Sequence, residues 1–251
     1  MLLALSAGYA CHVDDGTDGK IQIGVEDDLV LDMVQTLSQN GSRLNLIFQS
    51  EDAYTCEGAA YDYTLKTSTE DIGIHLTGIF VPQPCAGGSA PAVTEMPMPR
   101  HEGTYAVAID IGDIIHNTGI LVNEGDKYQL FMNETHGMTL SHDVMFKIPD
   151  QTLWGYVYHP TEQAAAWAEV NTVLTSYGGA SQLASGYYGF FDVYGTGEIE
   201  LYHSDANANA QAFAFQYTHD PAAIAAIKAT LIYECPVGTE IKLFTWEGEE
   251  F

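Results

Sequence analysis

Apolar and polar residues alternate in short runs along the first 150 residues. Ile72, Ile74, Leu76, Gly78 and Phe80 interleave with Gly73, His75, Thr77 and Ile79. Tyr105, Val107 and Ile109 line one face of a second run, and Tyr128, Leu130 and Met132 line a third. A period of two residues marks a half-buried strand. Leu29–Leu37, Leu44–Phe48 and Tyr61–Thr67 add strand-like stretches, separated by turn residues at Asn40-Gly41, Gly87-Gly88 and Glu124-Gly125-Asp126. About seven short strands with frequent turns predict a β-sandwich over residues 21–150. Val81 to Arg100 carries five of the nine prolines and reads as a long extended connection.

The period changes near residue 150. Leu153 to His159 reads as a strand. Thr161 to Tyr177 then shows a helical stripe of Trp167, Val170, Val173, Leu174 and Tyr177, with Thr161 as N-cap and Gly178-Gly179 as terminator. Tyr187–Tyr194 and Glu198–Tyr202 flank Gly195-Thr196-Gly197 as a hairpin. Gln211–Tyr217 is a further strand. Asp220-Pro221 opens a second helix with the stripe Ile224, Ile227 and Leu231, and Ile241–Trp246 is the last strand. The order β-α-β-β(-β)-α-β predicts a ferredoxin-like α+β domain over 151–251. The fold class expected is therefore mainly β with α+β, the sandwich preceding the ferredoxin-like domain, and residues 1–20 forming an export signal and linker.

Charge narrows the partners. The chain of 251 residues has 34 Asp plus Glu against 8 Lys plus Arg, a formal net charge of -26. Such a surface repels phosphate backbones and anionic headgroups, which argues against nucleic acid. The acids are scattered rather than set at ligand spacing. Asp14, Gly16, Asp18 and Gly19 open like a calcium loop, but Val25 stands where a bidentate Glu is required.

The first ten residues, MLLALSAGYA, are apolar or small and uncharged, and Cys11 follows. This reads as an export signal with Cys11 as lipidation candidate; cleavage after Ala10 is the alternative. No other apolar run approaches the roughly 18–20 residues that span a bilayer, so membrane association is expected only through a lipid anchor. Export favours disulfides. Cys56 and Cys85 lie at the outer ends of predicted strands that a hairpin would bring together. Cys235 is either a free thiol or the partner of an unlipidated Cys11.

His136, Met138 and His142 share one face if 136–148 is an unbroken strand, and imidazole with thioether suits copper. Met96, Met98 and His101 are further ligands within the proline-rich stretch. Ser141-His142-Asp143 alternate faces and form no triad. No phosphate loop, nucleophile elbow or HExxH motif occurs. Aromatics crowd the second half, and Tyr187, Phe191 and Tyr194 are the candidate binding face.

Several short motifs carry a resemblance: Cys56 followed by Tyr61 and Tyr63, a strand ending at Gly78, then Pro82, Cys85 and Ala90-Pro91-Ala92. Gly103 with Tyr105, Trp154-Gly155 and Tyr188-Gly189-Phe190 complete it. Together they resemble a group of Bacteroidota predicted exported lipoproteins with no assigned activity, and Asp14-Asp15 after Cys11 resembles their surface-export tag. The resemblance implies an envelope location and the Cys56–Cys85 bridge. The expectation is a non-enzymatic binding or assembly protein of the outer membrane, cell surface or periplasm, or a secreted one. It would contact an envelope protein or glycan without a cofactor, with oligomer formation left open. A copper-handling protein and an enzyme acting on an extracellular polymer are the alternatives.

Overall fold

The computed structural model describes residues 20–21, 29–38, 41–82, 84–85, 87–180, 183–202, 209–217 and 222–250. Cys11 and the Asp220-Pro221 cap lie outside them. The first half contains β1 (Lys20–Ile21), β2 (Leu29–Thr36), β3 (Arg43–Tyr54), β4 (Ala60–Thr67), β5 (Asp71–Phe80) and β6 (Ala90–Pro97). It continues with β7 (Gly103–Ile111), β8 (Ile115–Asn123), β9 (Lys127–Met132), β10 (Met138–Leu140) and β11 (Val144–Phe146). The second half contains β12 (Thr152–Tyr158), α1 (Gln163–Tyr177), β13 (Gly178–Ala180), β14 (Gly186–Tyr187), β15 (Phe191–Val193) and β16 (Ile199–Leu201). Then come β17 (Gln211–Tyr217), α2 (Ala222–Glu234) and β18 (Glu240–Thr245). The chain is mainly β, with both of these helices in its α+β second half.

Strands of the first half form two sheets. One runs β1-β5-β7-β8-β9-β11, with β4 on the other side of β5; the second runs β10-β2-β3-β6. Alternation aims Leu29, Leu31 and Met33 of β2, Leu46 and Phe48 of β3, and Tyr105, Val107 and Ile109 of β7 into one shared core. Each such side chain contributes about 1.5–3 kcal/mol when fully buried. Asn117, fully buried, anchors the turn before β10: its side chain donates to His136 O (2.9 Å) and accepts the His136 N–H (2.8 Å). Cys56 and Cys85 form a disulfide with Cα atoms 5.5 Å apart, tying the turn after β3 to the connection after β5.

Three expectations for this half change. The proline-rich stretch is not one long connection. Its residues 90–97 form β6, an edge strand paired with β3, with Ala92, Thr94 and Met96 buried in alternation. Prolines are tolerated because β6 ends its sheet, with β3 along one side and a single backbone bond, Val93 N–H to Ala59 O at 3.1 Å, on the other. Next, 136–148 is not an unbroken strand. Gly137 turns with φ 64°, β10 pairs in parallel with β2, and β11 pairs with β9 in the other sheet. Finally, the β5 alternation slips at its end: Gly78 and Ile79 are both buried and Phe80 is exposed, opposite a register shift at Asp62/Tyr63.

In the second half the sheet order is β18-β12-β17-β13, every pair antiparallel. Helix α1 joins β12 to β13, and α2 joins β17 to β18. Both cover one face of the sheet through Val170, Val173, Leu174, Ile224, Ile227 and Leu231. Thr161 does not cap α1. His159, buried, accepts the N–H groups of Thr161 (3.2 Å) and Glu162 (2.8 Å) at Nδ1, and its Nε2 donates to Val237 O (3.2 Å). Gln163 completes the cap by accepting the His159 N–H at 2.7 Å. Between β13 and β17 lies a small sheet, β14-β15-β16. The expected hairpin around Gly195–Gly197 is its β15–β16 pair, but Tyr187–Tyr194 is two short strands parted by a turn, not one.

Candidate functional site

The sheet of the second half has a face that the helices do not cover. Strand alternation puts Trp154 and Tyr156 of β12 on it, beside Ala212 and Ala214 of β17 and Lys242 and Phe244 of β18. This face meets the outer side of β2 and β3, where Val34, Thr36 and Ile47 project away from the sandwich core. The small sheet closes one end with Phe190, Leu201 and Tyr202. Together they enclose a cleft of about 540 Å3, with Glu95 of β6 also in its wall. That is the volume of a small organic ligand.

The walls are aromatic. Trp154 stacks on Phe244 at 4.4 Å between ring centroids and on Phe190 at 5.2 Å. Gly189, at φ 83°, turns the chain so that Phe190 reaches the cleft; a Cβ there would stand 3.0 Å from Met145 Sδ. Gln35 is fully buried between the halves and donates through Nε2 to Tyr188 O (2.7 Å) and Phe146 O (3.2 Å). Its Oε1 and the Trp154 Nε1–H are buried from solvent and find no hydrogen-bond partner among the described residues. Leaving one such group bare costs about 1–3 kcal/mol.

Polar groups at the cleft are tethered. The Tyr156 hydroxyl donates to Glu240 at 2.8 Å, and the Tyr202 hydroxyl donates to Asp192. Burial and that carboxylate raise the Tyr202 pKa above the ordinary phenol value. Lys242 Nζ lies 3.1 Å from Glu250 and 5.9 Å from the Phe244 ring centre. Glu95 accepts from the Asn45 side-chain amide.

Beside the cleft, His142 Nδ1 is 2.8 Å from Asp32 Oδ1, and its ring stacks on Tyr187 at 3.6 Å and 10°. The Tyr187 hydroxyl donates to Met33 O at 2.9 Å. Burial, and then the nearby Asp32 carboxylate, push its pKa well above the ordinary value. Burial likewise pushes Tyr188 up to about 12. These phenols are neutral at physiological pH.

The predicted sites fare unequally. His136 is exposed beside Glu134 (3.0 Å), Met138 is in the sandwich core, and His142 belongs to the Asp32–Tyr187 contact. The strand that would have aligned them is broken, and among the described residues no group of three or more His, Cys, Asp or Glu is arranged to hold a metal. Of the expected binding face, Tyr187 and Phe191 are buried and Tyr194 alone is exposed. Those first two join the halves instead of displaying a surface. The cleft residues Trp154, Phe190, Tyr202 and Phe244 were not singled out as a site. The available signal was β12 itself, apolar at both odd and even positions, which marks a strand covered on both sides.

Compared with protein-family models, curated proteins and solved structures, the chain matches none.

Proposed function

We propose that the protein is an exported, non-catalytic binding protein that holds a small organic ligand in the cleft between its two halves. The observation that carries this reading is the aromatic-walled cavity of about 540 Å3. The non-catalytic part of the reading rests on the sequence, in which no phosphate loop, nucleophile elbow or HExxH motif occurs. A broad protein- or glycan-binding face on Tyr187, Phe191 and Tyr194 finds less support, because two of the three are interior.

Export is the proposed setting. It rests on the apolar start before Cys11 and on the Cys56–Cys85 bridge, which persists in oxidising compartments. No helix among the described residues is long and apolar enough to cross a membrane. We also read the second half as a ferredoxin-like sheet into which the small β14-β15-β16 sheet is inserted.

A thermal-shift screen of small organic molecules on the mature protein tests the binding reading. Ligand at about one hundred times Kd stabilises the folded state by about 2.7 kcal/mol. Hits should lose their shift in Phe190→Ala, which removes one wall. Hits that stabilise the variant equally well would show that binding occurs elsewhere and end the reading.

A further inference from the structure

We infer that the cleft selects an organic cation, a small ammonium compound with an apolar or aromatic body. This deepens the proposal above and rests on the cleft being a ligand site.

The argument starts from the walls. Indole and phenyl faces carry negative electrostatic potential and attract a cation held over them. Trp154, Phe190, Tyr202 and Phe244 line one cavity, and a ligand there meets the ring surfaces that the stacking of Trp154 on Phe190 and Phe244 leaves uncovered. Two cleft tyrosines donate their hydroxyl hydrogens to carboxylates, Tyr202 to Asp192 and Tyr156 to Glu240. Donation to an anion leaves a phenol ring richer in electrons, which strengthens its attraction for a cation. The wall already holds an ammonium in this manner: Lys242 Nζ stands 5.9 Å from the Phe244 ring centre, its charge answered by Glu250 at 3.1 Å.

Charge complementarity gives the sign of the ligand. With Lys242 matched by Glu250, the lining charge left is the Glu95 carboxylate, whose hydrogen-bond partner Asn45 is neutral. Over longer distances a formal charge of -26 draws cations toward the cleft and repels anions.

The test compares three probes of one shape on the full mature chain: 4-phenylbutylamine, 4-phenylbutanol and 4-phenylbutyrate. Binding is followed at neutral pH by calorimetry and by intrinsic tryptophan fluorescence. The amine should bind about tenfold more tightly than the alcohol at low salt, and the butyrate most weakly. Raising salt to about 0.5 M should shrink but not erase that ratio, because ring contacts are not screened as surface charges are. Glu95→Gln should reduce the amine-to-alcohol ratio, and Phe190→Ala should weaken the amine. If alcohol and amine bind equally, or the alcohol binds better, the cleft remains a ligand site but the cation selectivity is overturned. An amine preference unchanged in both variants is attraction to the surface at large, and it overturns the inference as well. Failure of all three probes at millimolar concentration, with no hit in the thermal screen, removes the cleft reading itself.

Discussion

The two faces of the β18-β12-β17-β13 sheet use the same strands and end differently. One face lies under α1 and α2. Leu153, Val157, Phe213, Phe215 and Leu243 pack there against Val170, Leu174, Ile227 and Leu231, all of them buried. The opposite face lies against the sandwich and the small sheet. It carries the larger rings, Trp154, Tyr156 and Phe244, yet it encloses a cavity and strands polar atoms. Helices joined to their own sheet by short connections settle side chain by side chain into its grooves. A second rigid sheet approaching through a few contacts cannot follow every contour, so space remains. Burial alone therefore does not distinguish a structural face from a binding one; completeness of packing does.

The strongest challenge to this contrast is Gly155→Ala. Gly155 sits on the helix-covered side at φ 155°, where a Cβ would come within 1.9 Å of the Lys242 carbonyl oxygen. The neighbour is backbone of the paired strand and cannot yield cheaply. Destabilisation above about 4 kcal/mol is expected in urea unfolding. A mild effect would mean that β12 and β18 have slack on the side taken to be dense.

Paired truncations sharpen the same contrast. Phe215→Ala should cost about 3–5 kcal/mol, as a buried ring in a full core does. Phe190→Ala, half-buried at the cleft, should cost about 1 kcal/mol, because part of its surface already borders empty space. Equal losses in chemical denaturation would erase the distinction between the faces. Reduction of Cys56–Cys85 should cost about 3 kcal/mol, given its sequence separation of 29. That loss should appear as a lower midpoint in urea unfolding followed by far-ultraviolet dichroism.

Smaller effects follow. His159→Ala leaves two N–H groups at the start of α1 without their acceptor and should lower stability by about 1–2 kcal/mol. The thiol of Cys235 has its pKa raised by burial, with Glu169 and Glu234 adding to it. Fewer thiolates form in the native protein, so alkylation near pH 8 should be slower than in the urea-unfolded chain. Equal rates would place Cys235 outside the helix-side core it borders.

Much of the dense face was legible in the sequence. The stripes Val170-Val173-Leu174 and Ile224-Ile227-Leu231 are set by the local helical period, and both are buried as read. The cysteine pair was legible too, because strand ends meet wherever neighbouring strands pair. The cleft was not. Its walls come from β2, β3, β6, β12, β18 and the small sheet, and no local period records which distant sheet a strand will face. The departure of β10 and β11 to different sheets was hidden for the same reason. Prolines concealed β6, since they forbid a central strand but permit an edge.

Tyr187 has a consequence for how the molecule is made. It lies in the core of the sandwich, yet it follows its hydrogen-bond partner Met33 by 154 residues and emerges after β12 and α1. A nascent chain that has delivered residues 1–150 still lacks this plug and the ring that stacks on His142. The first half cannot finish assembling until much of the second has been synthesised, and such distant pairing slows folding. Cutting the polypeptide at the apparent boundary should therefore yield a fragment with an open seam.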